Sequence, residues 1–178
     1  MTGPTSAVAE LHRLALDTYR EEYRDLSETW KNLDTKAQGM GAIAGIFLAA
    51  VFAWAREMPV SFAISLRLLV VTSIALLVVS IIAAVLGLHV RQVASPPLGQ
   101  ETAEMVRDIL GKQRPEEAPE RLIALCNDQI TAWSDTNRDM AEHSQRKAAR
   151  IAIGQAALLL AAVLVAALSI LAILRPAG

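Results

Sequence analysis

Apolar residues fall in three unbroken blocks, residues 39–55, 68–90 and 151–174, and none of the three contains a charged side chain. Crossing a bilayer core takes about 20 helical residues at about 1.5 Å each. The second and third blocks reach that length. The first, with 17 residues, borrows from its flanks. Barrel strands would be short alternating segments, whereas these blocks are continuous Ala, Leu, Val and Ile. Lipid offers the backbone no hydrogen bonds, so the blocks must be helices that pair their own peptide groups.

A different pattern precedes the first block. Ala9, His12, Leu16, Tyr19, Tyr23, Leu26, Trp30, Leu33, Ala37 and Met40 recur three and four residues apart. That spacing is a heptad seam, and it predicts one helix over residues 6–55 whose first half lies outside the membrane. A second seam leads into the third block: Ile123, Cys126, Ile130, Trp133, Asn137, Met140, Ser144, Lys147 and Ile151. Between the two, Ser95-Pro96-Pro97 ends the helix of the second block. A short helix is expected over about 100–110, with Gly111 as its stop. Residues 112–120 form a charged linker, and Pro119 suits the first turn of the next helix.

Both seamed helices run toward the membrane from one side and can pack in parallel. Counting back from the spans places Asp34 and Lys147 at about the same depth, which predicts an ion pair. Asn137 interrupts an otherwise apolar row, and a polar seam residue can fix register and oligomer state. Most stripes of this kind are core within one chain. The second reading is that one seam also joins subunits.

Charge sets the orientation. Residues 1–38 hold five Lys/Arg and residues 91–150 hold nine, against Arg56, Arg67 and Arg175 elsewhere. The positive-inside rule then puts the first two segments in the cytoplasm. The expected organisation is a cytoplasmic helix at 1–38 continuous with a span at 39–55, and an external turn at 56–67. A second span follows at 68–90, a cytoplasmic helical segment at 91–150, a third span at 151–174 and an external tail at 175–178. The fold class is thus an all-α membrane protein: three transmembrane helices and a cytoplasmic helical stalk of two long seamed helices plus one short one.

The first span carries small residues every fourth position, Ala37, Gly41, Gly45, Ala49 and Ala53. Such a face lets helices approach closely, within the chain or between copies. No Asp, Glu, Lys or Arg lies inside a span, which argues against a coupled transporter or proton relay. Gln155 is the most polar residue of the third span, and His89 sits at the inner end of the second.

Net charge is −1, so a nucleic acid polymer is not an expected partner. Cys126 is the only cysteine, and His12, His89 and His143 match no ligand spacing, so no metal site is expected. The charged first 38 residues contain no apolar signal core. No nucleophile elbow, phosphate loop, HExxH or dinucleotide fingerprint occurs, and neither an enzyme nor a cofactor is expected. Lys112, Arg114 and Arg121 suit a phosphate, although Glu116, Glu117 and Glu120 neutralise them.

Trp30-Lys31-Asn32-Leu33-Asp34-Thr35-Lys36-Ala37 opens directly into the first span. This lead-in, with Leu33, Asp34, Lys36 and Ala37 as its motif, resembles the start of the Pycsar-type transmembrane effectors of bacterial anti-phage defence. The order of parts is similar too: two close spans, a cytoplasmic helical segment, and a last span preceded by Asn127, Gln129, Asn137, Arg146 and Lys147. SLATT-domain membrane effectors share the plan. The resemblance implies an inner-membrane effector that answers a cyclic pyrimidine mononucleotide, cyclic CMP or cyclic UMP, and impairs membrane integrity. No nucleotide-binding β-roll is recognisable, so a nucleotide pocket would have to be made by helices, and it is expected between the subunits of a homo-oligomer.

On that reading the phosphate partners are sought among Arg114, Arg121, Arg138, Arg146 and Lys147. The base-stacking groups are sought among Trp30, Trp133, Tyr19 and Tyr23. Two other readings stand beside it: a constitutive coiled-coil adaptor that the spans only anchor, and a holin-like pore former that needs no ligand.

Overall fold

The computed structural model describes residues 4–56, 64–89, 103, 104, 106–108, 111 and 118–174. Three long helices account for most of them: α1, Pro4–Arg56; α2, Ile64–Leu88; and α3, Ala118–Leu174. α1 holds no proline after its first residue, where a missing N–H costs nothing. It therefore runs on from the seam into the first apolar block, as expected. Pro119 is the second residue of α3, again in the first turn.

Two boundaries differ from the sequence expectation. Of the turn expected over 56–67, Arg56 is the last residue of α1 and residues 64–67 already belong to α2, while 57–63 lie outside the described residues. Arg67 marked a boundary by its charge, yet a long basic side chain at a span end stays helical and carries its head outward. α2 also ends at Leu88, so His89 lies just beyond it. The described part of the expected short helix is helical, and so is Gly111, which was expected to stop it. A glycine inside a helix costs only about 1 kcal/mol. Ser95-Pro96-Pro97, residues 112–117 and the tail 175–178 lie outside the described residues.

The chain divides into two compact units. Met1–Trp30 and Arg91–Ser144 form the first; Lys31–Val90 and Gln145–Gly178 form the second. α1 and α3 supply residues to both.

In the first unit α1 and α3 run parallel: His12 meets Asn127, and Tyr19 and Glu22 meet Asn137. The α1 seam is the covered side, with His12, Leu16, Tyr19, Tyr23, Leu26 and Trp30 each half-buried. On α3 the same holds from Cys126 onward, and Asn137, Met140 and Ser144 are fully buried. Ile123 departs from the pattern and is exposed.

The second unit is a three-helix bundle. α1 and α3 are parallel and α2 runs against both: Gly41 approaches Ala84, and nearer the start of α1 Ala37 approaches Gly87. Ala44, Val51, Val70, Leu77, Ala161 and Leu168 form its core, and Met40, Ala83 and Ala84 form a second cluster. The outward faces are as apolar as the inward ones, with Ile46 71%, Leu159 68% and Val163 65% exposed. Water would penalise those faces and lipid does not, so their surroundings are a bilayer.

The row of small residues on α1 only partly packs. Ala37 is buried and a Cβ on Gly41 would sit 3.4 Å from that of Ala84, but nothing lies within 4 Å of Gly45. Ala49 and Ala53 are exposed. The reason is geometric. A step of four residues overshoots one turn by about 40°, so the row winds off the face that a three-and-four spacing keeps.

Candidate functional site

In the first unit the seam is polar at its centre. Asn137 is 3% exposed, and its Nδ2 donates to the Tyr19 carbonyl at 3.0 Å and to Glu22 Oε2 at 2.9 Å. One amide thus ties α3 to α1 twice, which fixes rotation as well as distance. The bonds also orient the amide, since only the Nδ2 end donates. Its Oδ1 has no partner, and neither does Ser144 Oγ seven residues on, although both atoms are buried. Each is costly to leave unmade. Thr136, also buried, turns its hydroxyl to the Ala132 carbonyl of its own helix at 2.8 Å. Next to the amide, Tyr23 and Trp133 meet edge to face, with centroids 5.6 Å apart and planes at 81°. Such a pair contributes about 0.5–1.5 kcal/mol beyond area burial.

In the second unit the predicted ion pair is present. Lys147 Nζ donates to Asp34 Oδ1 at 2.6 Å; the lysine side chain is 7% exposed and the aspartate 32%. The neighbouring turns are held by close approach. A Cβ on Gly87 would lie 3.2 Å from Ile151 Cγ1, and one on Gly154 would lie 2.8 Å from the Ala83 Cβ and 2.6 Å from Met40 Cε. Gly154 is therefore a point where all three helices touch, and Gly87, with Ile151 and Ala37 beside it, is another. Arg150 reaches the Leu86 carbonyl at 3.3 Å, capping the end of α2 with a cation, where the helix dipole favours one.

The nine candidate ligand residues divide. Tyr19, Tyr23, Trp30, Arg121, Trp133 and Arg138 lie in the first unit, and Arg146 and Lys147 in the second. Arg114 lies outside the described residues. The four aromatic side chains are all half-buried on the α1–α3 seam. The cations are spread along α3. Arg138 is exposed and 3.6 Å from Glu142, and Arg121 lies roughly 25 Å from it along α3 at the helical rise. Lys147 is buried against Asp34 rather than offered to solvent. Of the lead-in motif, Ala37 is buried, Leu33 and Asp34 are half-buried and Lys36 is exposed.

Gly154 and Gly87 escaped the sequence reading. Their signal was present: Gly154 continues the row Lys147, Ile151 that was read on α3, followed by Ala157 and Ala161. No group of three or more His, Cys, Asp or Glu suited to a metal ion occurs among the described residues.

Three helices long and apolar enough to cross a bilayer, each with an apolar outer face, define an all-helical integral membrane protein. The chain matches the family model of the Pycsar effector protein domain over residues 18–174, and it belongs to that family. It is accordingly a membrane effector of anti-phage defence. No curated protein and no solved structure matches it significantly.

Proposed function

We propose that this effector answers cyclic CMP or cyclic UMP and, once it does, breaches the bacterial inner membrane. The observation that carries the reading is the α1–α3 seam of the first unit. Four aromatic side chains border it, and two buried polar atoms, Asn137 Oδ1 and Ser144 Oγ, lack partners. A seam built this way is specific but incompletely satisfied, so its arrangement is open to bias by a ligand with stacking surface and hydrogen-bond donors. The ligand must bind one arrangement more tightly than the other, or it shifts nothing.

The same two helices supply two of the three spans. With three spans and a bundle core mostly of Ala, Leu and Val, in which Ser73 and Ser80 are the buried polar side chains, the breach is read as the work of several copies. The role is non-enzymatic, with the N-terminus in the cytoplasm and the C-terminus outside, in keeping with the distribution of Lys and Arg.

Tryptophan fluorescence tests the ligand step. Titrating the purified protein with each nucleotide is expected to give a saturable change with cyclic CMP or cyclic UMP that is lost in Trp133→Phe. A flat titration with both pyrimidine nucleotides would count against the proposal.

A further inference from the structure

The net charge of −1 conceals a segregation. The first unit holds sixteen Asp/Glu against nine Lys/Arg, whereas the second holds eight Lys/Arg against two Asp/Glu. Within the second unit most of the cations gather at one end. Lys31, Lys36, Arg146, Lys147 and Arg150 stand just before the charge-free stretches of α1 and α3, and Asp34 is the single carboxylate in residues 29–56 and 143–178. Asp34 neutralises Lys147, which is buried beside it; the other four cations are exposed.

Contacts in the bundle fix the depth of this band. A Cβ on Gly87 would lie 3.6 Å from the Ala37 Cβ and 3.2 Å from Ile151 Cγ1, so Ala37, Gly87 and Ile151 share one level. Lys36 and Arg150 are the chain neighbours of Ala37 and Ile151, and both therefore stand at the edge of the apolar bundle. Arg150 is also tied there, its Nη1 donating to the Leu86 carbonyl at 3.3 Å. A guanidinium has five N–H donors, and this contact takes one. From Lys31 to Lys36, and from Arg146 to Arg150, the helices rise about 6–8 Å. One headgroup layer of a bilayer is about 5–7 Å thick. The band thus begins where the hydrocarbon ends and is about as tall as the layer of lipid phosphates.

We propose that this band, with Lys36 and Arg150 at its base, binds the phosphodiester groups of anionic lipids in the adjoining leaflet. Charge and depth both select that occupant: four exposed cations meet no second carboxylate in their own unit at that end, and lipid phosphate is the anion present at that level. A guanidinium matches the phosphate with paired donors, and the lysines add point charge. The effector then gathers anionic lipid around one mouth of its bundle. This asks only that the spans cross a bilayer, and it is independent of the nucleotide.

Full-length protein in phosphatidylcholine liposomes tests it, with traces of spin-labelled phosphatidylglycerol or spin-labelled phosphatidylcholine. The fraction of each label immobilised at the protein gives their relative association. The preference for phosphatidylglycerol is expected to be about tenfold, to fall about fivefold in Lys36→Gln and to persist in Lys36→Arg. It should shrink in 1 M salt, where the Debye length is about 3 Å. Arg150→Gln is expected to act like Lys36→Gln; because it also removes the contact with α2, the exposed Lys36 carries the test if that variant unfolds. Equal association of the two lipids overturns the proposal, as does a preference unchanged in Lys36→Gln. Arg67→Gln, at the other end of the spans, is expected to change the preference less, and the reverse order would overturn the placement. Release of phosphatidylglycerol by inorganic phosphate, beyond that by chloride at equal ionic strength, would make the band a free-anion site and overturn the lipid assignment.

Discussion

A lysine with a 7% exposed side chain persists only beside a fixed counter-charge, and Asp34 supplies it at 2.6 Å. The pair is asymmetric, because water still reaches about a third of the aspartate, 32% by side chain. Removing the two partners should therefore cost different amounts. Asp34→Asn removes the carboxylate held 2.6 Å from a buried ammonium and is expected to destabilise by about 2–3 kcal/mol, toward the lower end for a broken buried pair because of that water. Lys147→Met leaves only the part-solvated carboxylate and is expected to cost under about 1 kcal/mol. Thermal unfolding in detergent reads the order of the two; the reverse order would show that the carboxylate, not the ammonium, depends on the contact. Asn137 offers a second test. Asn137→Asp is nearly isosteric but sets a carboxylate where the amide now donates to Glu22 at 2.9 Å. The variant is expected to be less stable at neutral pH and to recover partly in acid, where one of the two carboxyls takes up a proton. A pH-independent loss would show that geometry, not charge, was disturbed.

Among the elements, the packing of the second unit turns on which glycine is crowded. Gly41, Gly45 and Gly154 look alike in the sequence. In the structure a side chain on Gly154 would collide with Met40 and Ala83, while Gly45 faces open space. Gly154→Leu is expected to lower stability by about 1–3 kcal/mol through overpacking, and Gly45→Ala to leave it unchanged or slightly raised. The melting temperatures of the two variants check this, and equal shifts would contradict the close approach. Much of the element layout was legible beforehand. Charge-free blocks named the spans, heptad spacing named the covered faces of α1 and α3, and counting back from the spans paired Asp34 with Lys147. What spacing does not encode is the rotation of one helix against another. That is why Gly154 was missed and why Ala49 and Ala53, on a four-residue row, wind out of the contact that Ala37 begins. The candidate site was legible for its aromatics, which lie on the seam, and less so for its cations. Charge alone does not say whether Lys147 faces solvent or Asp34.

Taken whole, the molecule joins a helical unit with a polar, partly unsatisfied seam to a small-residue bundle with an apolar exterior. α1 and α3 belong to both. Family membership makes it a membrane effector of anti-phage defence, and the proposal adds a signal and an outcome: a cyclic pyrimidine nucleotide and a breached bilayer. Leakage of a self-quenching dye from liposomes holding the purified protein tests both together, with cyclic CMP, cyclic UMP, cyclic AMP and cyclic GMP added separately. The account predicts release with cyclic CMP or cyclic UMP and tight vesicles with the purine nucleotides and with no addition. Tight vesicles with all four, or release before any nucleotide is added, would contradict it.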